Sequence, residues 1–236
     1  MAFRRIFVPR PLNQIRSYCR SATKCEEKDT SKGTQKQTFS KEGDSGFSKT
    51  LTGETLSKDH NIFNAIGATE ELLSSLGLAR EHAHESELEY TDKLKRIQTI
   101  IIDISTAISR STDKNIKVIP NTYTRELEDW IGEYSKQLPP PEQYIIPGGG
   151  VASASLHVAR AICRRTERVL LSFVQEGLVD KEAQVYLNRL SDFLFTVSRI
   201  AAKHDGRAES IYIPKPDEKI QEQIVKVDSI VYVKKI

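Results

Sequence analysis

Residues 160–168 read Arg-Ala-Ile-Cys-Arg-Arg-Thr-Glu-Arg, and their spacing predicts a helix with two different faces. At about 100° per residue, Arg160, Arg164 and Arg168 share one face. An apolar stripe marks another face, formed by Ala159, Ile162, Cys163, Val169 and Phe173. Like charges four residues apart repel by roughly 0.2–0.5 kcal/mol per pair. Such a helix either holds its arginines in water or offers them to an anion, and this stretch alone leaves both interpretations open.

Helical periodicity continues on both sides of this stretch and predicts five helices. The first begins at about Asn61. The other four cover about Ser86–Ser109, Thr122 or Thr124 to Leu138, Ala152–Gln175 and Lys181–His204. Their predicted core residues include Ala65, Ile66, Leu72, Leu73 and Leu76, then Leu94, Ile97, Ile101, Ile104 and Ile108, and finally Leu187, Leu190, Leu194, Val197 and Ala201. Gly177 and Gly206 are suited to end the last two helices. Short connections between these helices predict an all-α five-helix bundle over residues 39–213.

The segments around the bundle have other compositions. Residues 39–60 contain three glycines among serines and threonines, which is typical of a loop with turns. The glycines at 148–150 allow either a sharp turn or a close approach of the backbone to another group. In the tail, residues 214–236, the alternation from Ile224 to Ile236 favours a strand whose place in a bundle is undefined.

The N-terminus differs in charge from the rest. Residues 1–25 hold six basic residues and no acid, whereas the remainder has 29 basic and 32 acidic residues, a net charge of −3. The arginines and serines of residues 1–25, mixed with apolar residues, are typical of a mitochondrial transit peptide, and a plain basic tail is the alternative. Residues 26–38 read as a disordered linker. The acidic body argues against nucleic-acid binding, and no apolar run approaches the length of a membrane span.

A second polar face lies on the fifth predicted helix, where Asn188, Asp192, Phe195 and Arg199 fall together. Arginine binds phosphate through a planar fork that makes paired, charge-assisted hydrogen bonds. The segment Ser40-Lys-Glu-Gly-Asp-Ser-Gly-Phe-Ser48 could add backbone donors and one ammonium group, although a solvated linker is an equal interpretation of that segment by itself. It lacks the order of a Walker loop or a dinucleotide fingerprint. The three cysteines are too scattered for a disulfide framework or a zinc site.

Taken together, these segments resemble the PduO-type ATP:cob(I)alamin adenosyltransferases. The resemblance covers about Thr38 to Ile213. The matching segments are SKEGDSGFS at 40–48, TGE at 52–54, GATEELLSSLG at 67–77, QLPPPEQYIIPGGG at 137–150, RAICRRTER at 160–168 and NRLSDFLF at 188–195. They occur in the family's order and spacing, and this joint match is far more specific than any one segment.

The resemblance implies a five-helix bundle that forms a homotrimer with active sites between subunits. It implies that ATP enters with Mg²⁺, without a direct protein ligand assigned to the metal, and that the 5′-deoxyadenosyl group passes to cob(I)alamin to give adenosylcobalamin and triphosphate. The implied ATP contacts are Ser40, Lys41, Glu42, Gly43, Ser48, Lys58, Arg164, Arg165, Thr166, Glu167, Arg168 and Asn188. The residues implied at the corrinoid and the interface are Glu70, Tyr144, Arg160 and Asp192.

Physical chemistry agrees with those roles. Triphosphate leaves readily only if its growing charge is neutralised, which we expect from Arg164, Arg168, Lys41 and Mg²⁺. Cob(I)alamin is a strong nucleophile, so the reaction needs no general base. The resemblance also implies that the product serves methylmalonyl-CoA mutase in the mitochondrial matrix, which makes the mutase or a reductase a candidate partner.

Three residues depart from the family pattern: Glu42 where a threonine is usual, Glu70 where an aspartate pairs with the arginine at Arg160, and Tyr144 where a phenylalanine lies beneath the corrin. A carboxylate beside triphosphate is repulsive unless Mg²⁺ or Lys41 intervenes. These departures support an alternative, a weakened relative that binds cobalamin or ATP as an escort or chaperone. A purely structural bundle or a ferritin-like metal protein is the third interpretation, but the paired Glu-x-x-His sets of a ferritin-like protein are absent from the sequence.

Overall fold

The structure is a computed structural model that describes residues 41–113, 116–140 and 144–212. The described residues from Glu42 onward belong to one compact unit. Its helices are α1 Asn61–Glu85, α2 Thr91–Ser109, α3 Thr122–Ser135, α4 Val151–Gln175 and α5 Lys181–His204. Its strands are β1 Phe47–Lys49, β2 Thr55–Ser57, β3 Tyr144–Ile146 and β4 Ser210–Tyr212, and a 3₁₀ turn covers Glu42–Ser45. The predicted five-helix bundle is confirmed.

The apolar stripes of the helices meet in one continuous core. The predicted stripes of α2 and α5 are almost entirely inaccessible, with every member at 1% exposure or less. On α4, Ala159 and Cys163 are fully buried, and the Cys163 thiol contacts the Leu187 carbonyl oxygen at 3.2 Å. This confirms the period of the pattern, because 3.6 residues per turn bring these positions to one side of each helix.

Helix boundaries differ from the prediction mainly at α2 and α3. The second helix begins at Thr91 rather than Ser86, because residues after Glu85 turn back and the Leu88 amide donates to the Ala83 carbonyl at 2.9 Å. The residue that caps α3 is Asn121, not Thr122 or Thr124. The Thr124 hydroxyl instead donates to Glu182 Oε1 at 2.6 Å and ties α3 to α5. The predicted ends of α4 and α5 are confirmed, since Gly177 and Gly206 adopt φ of 69° and 65°.

At the end of α1 the same left-handed position is held by Glu87, with φ of 53°. A residue with a Cβ pays about 1–2 kcal/mol in this conformation, and glycine loses about 0.5–1 kcal/mol through backbone entropy. We therefore expect Glu87→Gly to raise the free energy of unfolding by up to about 1 kcal/mol, measured by urea denaturation. The control is Glu89→Gly, at an exposed neighbour with ordinary φ, which should lower it. Destabilisation by Glu87→Gly equal to that by Glu89→Gly would contradict this prediction.

Four short strands are the main feature that the sequence prediction missed. Residues 47–57, expected to be part of a loop, form an antiparallel hairpin in which Ser48 lies opposite Leu56. The second pair joins β3 to β4 and places Tyr144 opposite Tyr212. Strands of three residues are too short to show a periodic signal. The predicted transit peptide 1–25, linker 26–38 and strand 224–236 lie outside the described residues. Among the helices that the structure describes, none is long and apolar enough to cross a membrane.

The glycines between β3 and α4 show both features predicted for them, a sharp turn and a close approach of the backbone to another group. Gly149 and Gly150 have φ of 89° and 105°. A Cβ added at Gly149 would lie 2.6 Å from the Cβ of Ala202 on α5. A Cβ at Gly150 would collide with the carboxylate of Asp205. The backbone therefore turns sharply here and packs closely against the end of α5, which fixes where α4 starts.

Candidate functional site

The exposed arginines of α4 form an uncompensated positive surface. Arg164 and Arg168 both project into solvent, and Arg168 Nη1 contacts the Arg164 carbonyl oxygen at 3.3 Å. No salt bridge reaches either guanidinium from residues 41–113, 116–140 or 144–212. Two exposed guanidinium groups one turn apart, without a salt bridge from the described residues, can bind a multiply charged anion such as a phosphate chain. We call Arg164 and Arg168 the arginine surface.

The two residues that follow Arg164 point elsewhere. Arg165 forms a salt bridge with Glu71 on α1, and this hydrogen bond and charge raise the pKa of the guanidinium. Thr166 is buried, and its hydroxyl lies 3.0 Å from the Ala68 carbonyl oxygen. Within one subunit, Arg165 and Thr166 thus join α4 to α1 and are separated from the arginine surface. Their predicted contacts with ATP stay a prediction.

Two polar pairs line the adjacent side of α5. Asn188 Nδ2 donates to Glu167 Oε1 at 3.2 Å, which orients the carboxylate beside the arginine surface. One turn along, Asp192 accepts from Arg189 Nη1 at 3.1 Å. Asn188 and Asp192 are exposed, so both can also contact a ligand or another subunit.

Arg160 differs from the other arginines because it is partly buried. Its guanidinium carbon lies 5.1 Å from the centroid of the Phe195 ring, a cation–π distance. Its Nε is buried and has no hydrogen-bond partner among the described residues. Burial, together with the charge of Arg164, lowers the pKa of Arg160. This guanidinium is therefore held at the site with one donor still available.

The expected pair between Glu70 and Arg160 is not formed within the subunit, as no salt bridge joins them in the described part of the chain. Glu70 is exposed on α1 and borders a cavity of about 260 Å³ between α1 and α2. A pair between these residues would require two copies of the chain, and it stays a prediction.

The segment from Glu42 to Lys58 gathers most of the other predicted phosphate ligands. A Cβ at Gly43 would lie 2.8 Å from Lys58 Nζ, so the glycine lets the ammonium approach the 3₁₀ turn. The Lys58 amide donates to the Gly46 carbonyl oxygen at 2.9 Å. Glu42 Oε2 lies 3.8 Å from Lys49 Nζ, and a lysine therefore offsets the charge of this carboxylate. Lys41 is exposed, and the predicted ligand Ser40 lies outside the described residues.

This segment is attached to the bundle at the end of α2. The Leu51 amide donates to Ser109 Oγ at 3.1 Å, and the hydroxyls of Thr52 and Thr112 lie 2.9 Å apart. Across the described ranges, no hydrogen bond or salt bridge links residues 43–58 to residues 160–168. One subunit therefore carries two candidate anion-binding parts that are attached to different elements of the bundle.

Tyr144 lies on β3 with 75% of its surface exposed, opposite Tyr212 on β4, which is 53% exposed. Directly paired residues of an antiparallel ladder project on the same face. An exposed aromatic surface of this kind suits a flat, apolar ligand. We call the β3–β4 pair the tyrosine sheet.

The sequence predicted no role at the site for Tyr212, Glu209 or Pro139. Tyr212 is part of the tyrosine sheet, Glu209 directly precedes β4, and Pro139 lies between α3 and β3. The run of β-branched and aromatic residues Ile211, Tyr212 and Ile213 is a signal that favours a short strand. Contacts between side chains that are far apart in the sequence leave no comparable local signal. No cluster of three or more histidine, cysteine, aspartate or glutamate side chains that could hold a metal ion is found where the structure describes the chain.

Comparisons with known proteins identify close relatives of this fold and sequence. Residues 38–201 match the family model of cobalamin adenosyltransferase. The chain is 42% identical over 180 residues to corrinoid adenosyltransferase MMAB of Mus musculus, covering 74% of this chain and 76% of that protein. It is 41% identical over 181 residues to the Homo sapiens protein of that name, covering 74% and 72%. A variant PduO-type ATP:corrinoid adenosyltransferase from Lactobacillus reuteri, complexed with cobalamin and ATP, superposes with a TM-score of 0.71 at 26% identity, covering 75% of this chain and 100% of that one.

Proposed function

The chain belongs to the cobalamin adenosyltransferase family and is an ATP:corrinoid adenosyltransferase, and we propose that its active site is formed between two subunits. The enzyme transfers the 5′-deoxyadenosyl group of ATP to cob(I)alamin. The reduced cobalt supplies an electron pair to the 5′ carbon, the cobalt–carbon bond forms, and the bond from that carbon to the triphosphate oxygen breaks. Triphosphate leaves with the electron pair of the broken bond.

The observation that carries the intersubunit site is that the two candidate anion-binding parts are attached to different elements of one subunit. The segment with Gly43 and Lys58 is fastened to the end of α2, whereas Arg164 and Arg168 lie on α4, and no salt bridge or hydrogen bond of the described residues joins Lys58 to either arginine. A triphosphate needs cations around it rather than on one side. Two copies of the chain can supply the hairpin of one subunit and the arginine surface of the other.

In this arrangement the arginine surface binds the triphosphate and stabilises its growing charge. Asn188 orients Glu167, and Ser48, Gly43 and Lys58 approach from the hairpin side. Lys41 and Ser40 are the remaining residues that we expect to contact the phosphates. Glu42, next to Lys49, is compatible with a bound anion because the lysine offsets its charge. Mg²⁺ enters with the nucleotide and neutralises part of the triphosphate charge.

The corrinoid lies against the tyrosine sheet. Tyr144 offers an exposed aromatic ring in the position expected beneath the corrin, and its partner Tyr212 extends the same face. Arg160 lies one turn before Arg164 on α4 and keeps a buried donor without a partner among the described residues, and Asp192 lies one turn beyond Asn188 on α5. Glu70 of one subunit is the expected partner of Arg160 of another, and this pair would fix the alignment of the two substrates.

A homotrimer is the assembly that fits this site. Exposed apolar side chains on the helices, such as Leu78 at 56%, Ile102 at 52% and Val158 at 55%, offer contact area for another subunit. We assign residues 1–25 as a transit peptide and the mitochondrial matrix as the location, on the basis of the charge and composition of that segment. Methylmalonyl-CoA mutase and a reductase are proposed partners on the grounds of the product and the substrate.

The activity is tested with purified protein, Mg-ATP and chemically reduced cobalamin. Adenosylcobalamin should appear in the absorption spectrum, and omission of ATP should abolish it. Absence of product with bound ATP and cobalamin would instead favour the escort interpretation. Sedimentation should give a particle of three times the 26.7 kDa chain mass.

Mixing two inactive variants tests the intersubunit site. We expect Lys58→Ala and Arg164→Ala each to lower turnover, and co-refolded equal mixtures to regain about one quarter of wild-type activity. In an equal mixture, half of the subunits have an intact hairpin segment and the other half have intact arginines. A site that takes the two parts from different subunits therefore has both parts intact in about one quarter of cases. If both parts came from one subunit, every site would carry one substitution. Activity of the mixture no higher than that of its components would reject the intersubunit site.

A further inference from the structure

We propose that Arg199 and Glu209 form a clamp that positions the tyrosine sheet for corrinoid binding, an inference that rests on the proposed role of Tyr144. Arg199 lies on α5 and is only 5% exposed, the one charged residue in the buried class among the described residues. Burial of a charge is costly unless the charge is paired, and an apolar residue of similar size often gives equal or greater stability. The presence of this arginine therefore calls for a role in geometry rather than in stability.

The guanidinium of Arg199 donates hydrogen bonds to groups from two separate chain segments. Its Nε donates to Glu209 Oε1 at 2.5 Å, and its Nη2 donates to Oε2 at 3.1 Å. The same Nη2 donates to the Pro139 carbonyl oxygen at 2.9 Å. Glu209 directly precedes β4, and Pro139 lies in the segment that leads from α3 to β3. One guanidinium thus holds the chain before both strands of the tyrosine sheet.

The tyrosine sheet needs such an anchor because it is small. Each of its strands has three residues, and an isolated two-stranded sheet is marginally stable at best in water. Its face toward Tyr144 and Tyr212 is largely exposed, so packing on that side contributes little before a ligand binds. We therefore attribute the orientation of the Tyr144 ring to the chain segments that Arg199 holds through Glu209 and Pro139.

The clamp also contacts the other side of the site. The guanidinium carbon of Arg199 lies 6.0 Å from the centroid of the Phe195 ring, and that of Arg160 lies 5.1 Å from the same centroid. Phe195 therefore connects the arginine helix α4 with the residue that holds the tyrosine sheet. A shift of about 1 Å in such a supporting group can change a rate by up to about 100-fold when it misplaces a reacting partner.

The test uses Arg199→Lys, which keeps the charge and loses the fork, Arg199→Met, which keeps length alone, and Glu209→Gln. In the full-length protein we expect KM for cobalamin to rise about 10-fold in Arg199→Met and Glu209→Gln, with less change in Arg199→Lys. KM for ATP should stay within about 2-fold, because the triphosphate ligands are untouched. The control is Arg80→Met. It removes a guanidinium on α1 that is hydrogen-bonded to Glu81 and to Gln98, outside the proposed site.

A double-mutant cycle with Tyr144→Ala isolates the mechanism. If the clamp acts by positioning Tyr144, adding Arg199→Lys or Glu209→Gln to Tyr144→Ala should change KM for cobalamin by less than about 2-fold. Additive effects, or equal increases in both KM values, would overturn the inference. If Arg199→Met fails to fold, Arg199→Lys and Glu209→Gln still decide between these outcomes. Inactivity of the wild-type protein would count against the proposed function itself, whereas active wild type with unchanged clamp variants rejects only the clamp.

Discussion

Replacement of Arg164 or Arg168 with alanine is expected to lower kcat/KM for ATP by about 100-fold, or about 2.7 kcal/mol in transition-state free energy. Both guanidiniums project from α4 into solvent without a salt bridge from the described residues. In the proposed site, each alanine variant would lose the charge-assisted hydrogen bonds of one guanidinium to the triphosphate as its negative charge increases. The helix itself loses no intramolecular ion pair, so its stability should be nearly unchanged.

Steady-state kinetics with varied ATP, and ATP affinity by calorimetry, measure this effect. Circular dichroism and the melting temperature show whether α4 is intact. Lysine at either position should give an intermediate loss, since it keeps the charge but not the planar fork. The control variant is Arg125→Ala, which removes an exposed arginine from α3. Wild-type kinetics in both alanine variants, with intact helices, would rule out the proposed role of the arginine surface.

Replacement of Gly149 with alanine is expected to give the largest loss of stability, about 2–5 kcal/mol. The added Cβ would lie 2.6 Å from Ala202 Cβ and 3.1 Å from Ser153 Oγ, and the φ of 89° disfavours a residue with a Cβ. Ala202 and Ser153 are buried and lie on helices, so neither can move away freely. Relief of the clash requires α4 and α5 to separate, or the β3–α4 junction to unwind.

Thermal and urea denaturation measure this change, and the melting temperature should fall by about 5–15 °C. The matched control is Gly67→Ala in α1, where a new Cβ meets no atom within 4 Å. Alanine is the better helix former, so Gly67→Ala should raise stability by up to about 1 kcal/mol. Equal effects of the two substitutions would mean that the close approach at Gly149 does not limit the fold.

Several parts of the site were predictable from the sequence because they depend on local spacing. Arg164 and Arg168 are one turn apart on any helix, and their neighbours Cys163 and Phe173 identify the buried side. The burial of Cys163 followed from the same pattern, and its apolar surroundings raise the pKa of the thiol. The family match of residues 38–201 spans all six sequence segments that carry the resemblance.

Other features could not be derived in this way. Thr166 lies within the arginine-rich stretch but is buried against Ala68, a contact decided by how α1 packs on α4. Arg199 was expected on a polar face turned away from the core, yet its guanidinium is enclosed within the subunit by Glu209 and Pro139. Pairing partners so distant in sequence leave no periodic pattern.

The sequence by itself determined the five helices, their core faces and the presence of arginines suited to a phosphate chain. Each of these follows from the period of the α-helix and from the chemistry of single side chains. Only the tertiary structure decided that β3 pairs with β4, that Glu209 holds Arg199 and that the β1–β2 hairpin is attached to the end of α2. These are long-range contacts, and they form because several elements must share one core and satisfy their buried polar groups together.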